Sequence, residues 1–417
     1  MMWPRFFRCL VLLAWALSGS VRAEEAAYRK EVAVSGPTRL DWTFALANQS
    51  VVDPPAEWLA GYESTQQRYE LFVPPKVQDR KHGHPVVLFI SVGDGPAGWG
   101  QLEAVCKSQG ILFASPHGAG NNTPMPRRVR IVLDVLDDIR RSHPVDPDRT
   151  YLAGFSGGGR VACAIAFSLP ELFGGVMPVC AGGELREEPW LRHRAIDRLS
   201  LGFVTGTNDV NLGEVSRFCG PMLSEMGIRT KITIVPNLGH GIPDGKALSP
   251  VIEWLDQGAP ARRKLATQHP ASRIAGDRAP TRDEWAKELL AEGQLRIKQR
   301  PTTFSGLMQL QGVMTRWPDL PAGEEAKRIL LDYESRADKP WEADDIAEQR
   351  QFLIARARGV DAYGSGDLPE AYQKQRSSML KAAIDLWEQV LADGQDAKAV
   401  AEAKRRIPVL TQLLAAE

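Results

Sequence analysis

Ser156 lies in Gly154-Phe155-Ser156-Gly157-Gly158, a G-x-S-x-G frame that can hold a nucleophilic hydroxyl at a sharp strand-to-helix turn. An apolar, β-prone stretch, Thr150-Tyr151-Leu152-Ala153, precedes it, and small helix-compatible residues follow it. A serine hydroxyl at its ordinary pKa is a weak nucleophile, so it needs a base and an acid to orient that base. Asp209 ends the polar turn Thr205-Gly206-Thr207-Asn208-Asp209, and His240 sits in Asn237-Leu238-Gly239-His240-Gly241. The intervals are 53 and 31 residues, room for a strand and a helix each time. Asp209 also fits an ordinary turn former, and Asp244 and Glu214 are competing acids. Of the seven histidines, only His240 combines a place after the acid with a strand just upstream and flanking glycines.

Acyl chemistry also needs two backbone N–H groups aimed at developing negative charge. Gly157, directly after the serine, supplies one. The second is expected from Gly93-Asp94-Gly95-Pro96, with Asp94 the first candidate and Gly95 the alternative. Phe155 and His117 are candidates for contact with substrate, although His117 suits a structural turn equally well. No Cys-x-x-Cys or Cys/His cluster suggests a metal, and no cofactor is expected.

Elements able to position these residues alternate over residues 28–258. Residues 67–73 alternate polar and apolar, as a half-exposed strand does. Residues 85–92 (PVVLFISV) form a continuous apolar run, the mark of a strand covered on both faces. Further strands are expected at 111–114, 150–153, 176–179, 201–204 and 231–235, with helices at 99–109 and 129–140. Strands alternating with helices predict an α/β fold with a mostly parallel sheet.

After Gly258 the texture changes. Residues 259–280 carry Pro260, Pro270 and Pro280 among Ala and Arg and read as a linker. Thr281-Arg282-Asp283-Glu284 is a capping-box pattern opening a helix through about residue 299. Residues 281–417 read as an all-α domain. Glu325-Ala326-Lys327-Arg328 recurs as Glu402-Ala403-Lys404-Arg405, an offset of 77, which suggests helical hairpins of tetratricopeptide-like kind. A plain bundle accounts for that region equally well. On this reading a chain ending near Gly258 is expected to fold alone, leaving the helices to meet a protein partner or a polymer.

Residues 1–23 read as an export signal: Arg5 and Arg8, an apolar core from Cys9 to Leu17, then Val21-Arg22-Ala23. Its removal leaves 48 basic against 51 acidic residues, a net charge of −3. Nothing in that balance points to nucleic acid. No later segment is long and apolar enough for a membrane span. The mature chain keeps Cys106, Cys163, Cys180 and Cys219; export permits disulfides, and Cys180 and Cys219 are candidates for neighbours.

The run Val145-Asp146-Pro147-Asp148-Arg149-Thr150-Tyr151 leading into the serine frame, with Gly239-His240-Gly241 downstream, resembles the α/β-hydrolase superfamily. It is most similar to exported esterases related to polyhydroxybutyrate depolymerases and feruloyl esterases. The resemblance spans about residues 67–254 and implies a Ser156–His240–Asp209 triad, an ester substrate and no cofactor. Such esterases often carry His-Gly after the third strand, where this chain has Ser91-Val92-Gly93-Asp94. A peptidase of prolyl-oligopeptidase type and an inactive hydrolase scaffold acting as a binding protein are the competing readings.

Overall fold

The computed structural model describes residues 27–75, 81–183 and 185–417. The export signal expected at 1–23 lies outside them. The eight strands are β1 (Ala27–Ala33), β2 (Arg68–Val73), β3 (His84–Ile90), β4 (Leu112–Pro116), β5 (Val145–Phe155), β6 (Gly175–Val179), β7 (Ser200–Gly206) and β8 (Arg229–Val235). They form one sheet in the order β1-β2-β4-β3-β5-β6-β7-β8. β1 and β2 are antiparallel additions at one edge, and β3 to β8 run parallel. The chain reverses its winding direction at β3, so the carboxyl ends of β3 and β5 flank the crevice where such sheets bind ligands.

Six helices belong to this alternating part: α1 (Trp99–Gln109), α2 (Met125–Ser142), α3 (Gly157–Ser168), α4 (Pro189–Arg198), α5 (Gly220–Glu225) and α6 (Gly245–Asp256). α1 and α6 cover one face, where Leu102, Val105, Val251 and Leu255 pack on Val87, Phe113 and Val204. α2, α3 and α4 cover the other, over Val86, Leu88, Leu152 and Val176. Every residue of β3 is buried, as its unbroken apolar run requires. The turn-prone residues before the serine frame fall inside β5. The register jumps there from His84↔Val145 to Val86↔Thr150, so residues 146–149 bulge out of the ladder.

The remaining helices are α7 (Ala259–Gln268), α8 (Arg282–Arg296), α9 (Thr303–Arg316), α10 (Pro321–Glu334), α11 (Glu342–Gly364), α12 (Glu370–Gln373), α13 (Arg376–Asp393) and α14 (Ala397–Ala416). The stretch read as a linker is therefore structured. Pro260 falls in the first turn of α7, where a missing N–H costs nothing. Buried Arg262 of that helix donates to Asp148 O at 2.8 Å, Ser200 Oγ at 3.2 Å and Leu255 O at 3.1 Å. Beyond it, Ile274 N donates to Glu171 O, and Arg140 Nε donates to Gly276 O. Arginines bonding to backbone carbonyls, invisible to an apolar-periodicity reading, tie this segment to the sheet.

The capping box is present, with Thr281 Oγ1 accepting from Glu284 N and Glu284 accepting from Thr281 N. The helices after it do not make one separate body. Trp285, Leu289, Leu310, Val313, Trp317 and Ala326 of α8 to α10 and the turn after α9 join the same core as α2, α3 and the sheet. A distinct cluster, with Ile354, Leu380, Trp387 and Ala403, holds α11, α13 and α14. The two copies of the faint repeat fall on α9–α10 and α13–α14, one in each cluster.

Candidate active site

Ser156 follows β5 at φ 50° and ψ −117°, a conformation rare for any side-chain-bearing residue. Two close approaches enforce the turn. A Cβ at Gly158 would stand 2.1 Å from Ile90 O, and one at Gly154 would stand 2.5 Å from Gly158 C. Only hydrogen fits at either position, which explains the glycines around the serine. The Ser156 N–H donates to Val179 O at 2.8 Å, fixing the elbow to β6.

The loops after β7 and β8 are tied together before they present their side chains. Asn208 N donates to Leu238 O at 2.9 Å, and Asn237 N donates to Thr207 Oγ1 at 2.8 Å. Across this junction His240 Nδ1 lies 2.8 Å from Asp209 Oδ1, and His240 Nε2 lies 2.9 Å from Ser156 Oγ. Asp209 is buried, and also accepts from Thr205 Oγ1 at 2.6 Å and Asn211 N at 3.1 Å. Burial pushes its pKa up, but bonds from Thr205, His240, Asn211 and Cys180 outweigh it and hold the carboxyl below its ordinary value. An ionised carboxylate only accepts, so Nδ1 carries the imidazole proton and Nε2 is left to accept from the serine hydroxyl. The geometry is that of a base poised on an oriented nucleophile.

The competing acids are committed elsewhere. Asp244 caps α6, accepting from Ala247 N at 3.1 Å. Glu214 makes a two-pronged pair with Arg160, with one bond at 2.6 Å. The Phe155 ring lies 4.9 Å from the His240 ring, beside the base. His117 is not brought there. Its Nε2 lies 3.4 Å from Lys30 O and its N–H donates to Arg68 O, contacts that place it at the antiparallel edge of the sheet. Of the two alternatives for this residue, the structure supports the turn.

Gly157 is the first residue of α3, where backbone N–H groups lack helical partners and favour negative charge. The loop after β3 is pinned to the loop after β4: Gly118 N donates to Asp94 O at 2.7 Å, and Asn121 N donates to Val92 O at 2.8 Å. Gly93 N is already engaged with Ser91 Oγ at 3.1 Å, which leaves the Asp94–Gly95 stretch for a second donor. That same pinning delivers Asn121. A Cβ at Gly157 would stand 2.1 Å from Asn121 Oδ1, so this side-chain amide lies against the elbow. Nothing in the local pattern of Gly120-Asn121-Asn122 singles it out from other loop residues.

Cys180 is the other residue beside the site that the sequence did not place there. It follows β6 at φ 52°, and its Sγ–H donates to Gly241 O at 3.3 Å beside Asp209. Cys219 packs at the same loop, against Gly182, yet all four described cysteines are thiols. Cys180, Asp209 and His240 place ligand-type atoms within 4.8 Å of one another. His240 Nδ1 is already bonded to Asp209, and burial with the Asp209 contact pushes the thiol up to about 12. Those groups make a hydrogen-bond cluster rather than a thiolate metal site.

The late helices pack on the segment that follows the loop carrying Asp209. Phe218 stacks on Tyr363 of α11 at 5.6 Å, and Arg217 donates to Asp367 O. Among the described residues no helix is long and apolar enough to cross a membrane.

The sheet order and the elbow after β5 are those of the α/β-hydrolase fold. Compared with models of known families, the chain matches none. A protein named "Putative esterase NocK" from Nocardia uniformis subsp. tsuyamanensis is 29% identical over 136 residues, which span 29% of this chain and 39% of that protein. Among solved structures, a thermostable esterase is similar at 21% identity and a TM-score of 0.36, over 47% of this chain and 60% of its own. The S-formylglutathione hydrolase FrmB of Staphylococcus aureus is similar at 13% identity and a TM-score of 0.40, over 56% and 98%. A ferulic acid esterase is similar at 15% identity and a TM-score of 0.36, over 48% and 93%.

Proposed function

We propose that the protein is an exported serine hydrolase that cleaves carboxylic esters. The reading rests on one observation above all: the hydrogen-bond chain from Ser156 Oγ through His240 to Asp209, set on an elbow. In this mechanism Ser156 Oγ attacks the acyl carbon as His240 Nε2 takes the hydroxyl proton. The Gly157 N–H and a donor from the Asp94–Gly95 stretch face the resulting oxyanion. Collapse breaks the bond to the alcohol oxygen, which leaves with the proton held by His240. Water then attacks the acyl-enzyme, with His240 again as base, and the acid is released. Asp209 holds the imidazole in the needed tautomer and offsets its positive charge during both steps. Support for export is the N-terminal pattern of residues 1–23.

The chain's similarity to a protein named as an esterase agrees with an ester substrate. Packed on Phe218 and Arg217 in the segment after the acid's loop, α11 and the residues beyond it are read as a surface for a polymer or a protein partner. The test is labelling with a fluorophosphonate probe, followed by turnover on p-nitrophenyl esters of graded acyl length beside peptide amides. Labelling of the wild type but not of Ser156→Ala, with ester turnover, supports the reading. A wild type that folds and neither labels nor turns over esters is the inactive scaffold, and preferential turnover of amides is the peptidase.

A further inference from the structure

A cavity of about 200 Å³ lies where the segment before β2 meets α8 and the end of α9. Leu169 and Leu172, just past the end of α3, line it, whereas Ser156 stands just before that helix's start. Twelve helical residues separate them, roughly 18 Å at 1.5 Å each, so this is a place distinct from the triad.

Its polar lining is unbalanced. Asp41 accepts from Trp317 Nε1 at 3.0 Å and Arg316 Nε at 3.2 Å, and Glu171 is ion-paired with Arg194, its Oε1 being the one buried acceptor of the lining without a hydrogen bond among the described residues. Three buried donors have no partner: Arg316 Nη1, Trp285 Nε1 and Arg282 Nε. Arg316 is 2% exposed and Trp285 is 3% exposed, so water in bulk does not serve them. Burial depresses the Arg316 pKa, Asp41 opposes that, and the charges of Arg282 and Arg186 add repulsion. A buried donor left unpaired costs about 1–3 kcal/mol, more on a charged group. The remaining walls are apolar, with Leu40, Trp42 and Ile274 among them. A dry cavity of about 150 Å³ is known to accept benzene, so this one has room for a ring and a carboxylate.

We infer that this cavity is a binding site for a small organic carboxylate, its oxygens taken by Arg316 Nη1, Trp285 Nε1 and Arg282 Nε and its apolar body by the surrounding walls. Both features are needed: the donors select an anion, and the walls select an apolar tail over an inorganic ion.

Calorimetric titration of the full chain with benzoate, benzamide and inorganic phosphate tests this. Benzoate is expected to bind at one site, with benzamide and phosphate each at least tenfold weaker. Trp285→Phe keeps the ring and removes the N–H; Arg316→Lys keeps the charge and removes the fork. Each should weaken benzoate about tenfold, the loss of one hydrogen bond to a charged group. The Trp285→Phe protein should melt within a few degrees of wild type, so its result stands even if Arg316→Lys folds poorly. Absence of benzoate binding, equal binding of benzamide, preference for phosphate, or benzoate affinity unchanged by Trp285→Phe would each overturn the assignment.

Discussion

Trp190 of α4 and Gly312 of α9 are in such close contact that a Cβ on Gly312 would stand 2.7 Å from the indole Cε3. One residue belongs to the sheet's own helical layer and the other to the late helices. Their contact sits in the core that the two regions share. The late helices are thus part of how the sheet stays folded, at least through α10.

A chain ending at Gly258 should therefore be insoluble or melt without a cooperative transition, because it uncovers Trp190 and loses the Arg262 bonds to Asp148, Ser200 and Leu255. Gly312→Leu in the full chain should cost about 1–3 kcal/mol through overpacking, read as a lowered melting temperature. A truncated protein that is soluble and active on small esters would show that the shared core is dispensable.

Ser156→Ala should abolish ester turnover with little change in melting temperature, since a hydroxyl is removed from a partly exposed turn. Asp209→Asn should lower kcat by about 10³ to 10⁴, because an amide can hold the imidazole in the wrong tautomer. Asp244→Asn should leave kcat near wild type and weaken only the start of α6. Steady-state kinetics on one p-nitrophenyl ester checks all three, and reversed effects at Asp209 and Asp244 would refute the assignment of the acid.

Asn121 lies against Gly157, the residue proposed to supply the first oxyanion donor. Asn121→Ala should reduce kcat several-fold, because the amide that packs on Gly157 and steadies the elbow is removed. KM should change little. Equal kcat in the variant would mean that the amide only packs against the elbow.

Asp137 of α2 is buried and accepts from Arg39 N, Arg39 Nε and Nη2, and Arg141 Nη2. Burial pushes its pKa up, but bonds from Arg39 and the charge of Arg141 outweigh it and hold the value below the ordinary 3.8. A lowered folded-state pKa means that this stability is fully present above the unfolded value and is lost as pH falls through the folded one. Asp137→Asn should therefore cost about 3 kcal/mol at neutral pH, as breaking a buried pair does. The gap from wild type should stay constant down to about pH 5 and narrow below pH 4, followed by denaturant unfolding across that range.

The sequence by itself determined the features that depend on local rules. An uninterrupted apolar run made β3 a central strand, and helical spacing over residues 129–140 marked α2. The glycines around Ser156 marked a turn that no larger residue fits, and chain order after two strands singled out Asp209 and His240. Those signals work because a strand's end fixes where the next few side chains can point.

Tertiary structure decided what depends on contacts between distant segments. Residues 259–280 lack apolar periodicity because arginines anchor them to carbonyls far away in sequence, as Arg262 does to Asp148 O. His117 follows a strand as His240 does, but its strand borders the antiparallel edge, so it meets Lys30 and Arg68 instead of the nucleophile. Asn121 reaches the elbow because Val92 O holds its backbone, and Cys180 meets Gly241 because β6, β7 and β8 lie side by side and the loops after β6 and β8 converge beside Asp209. The apolar residues of α8 to α10 require an apolar surface to cover, and the sequence carries no information about which one; the assembled core supplied it.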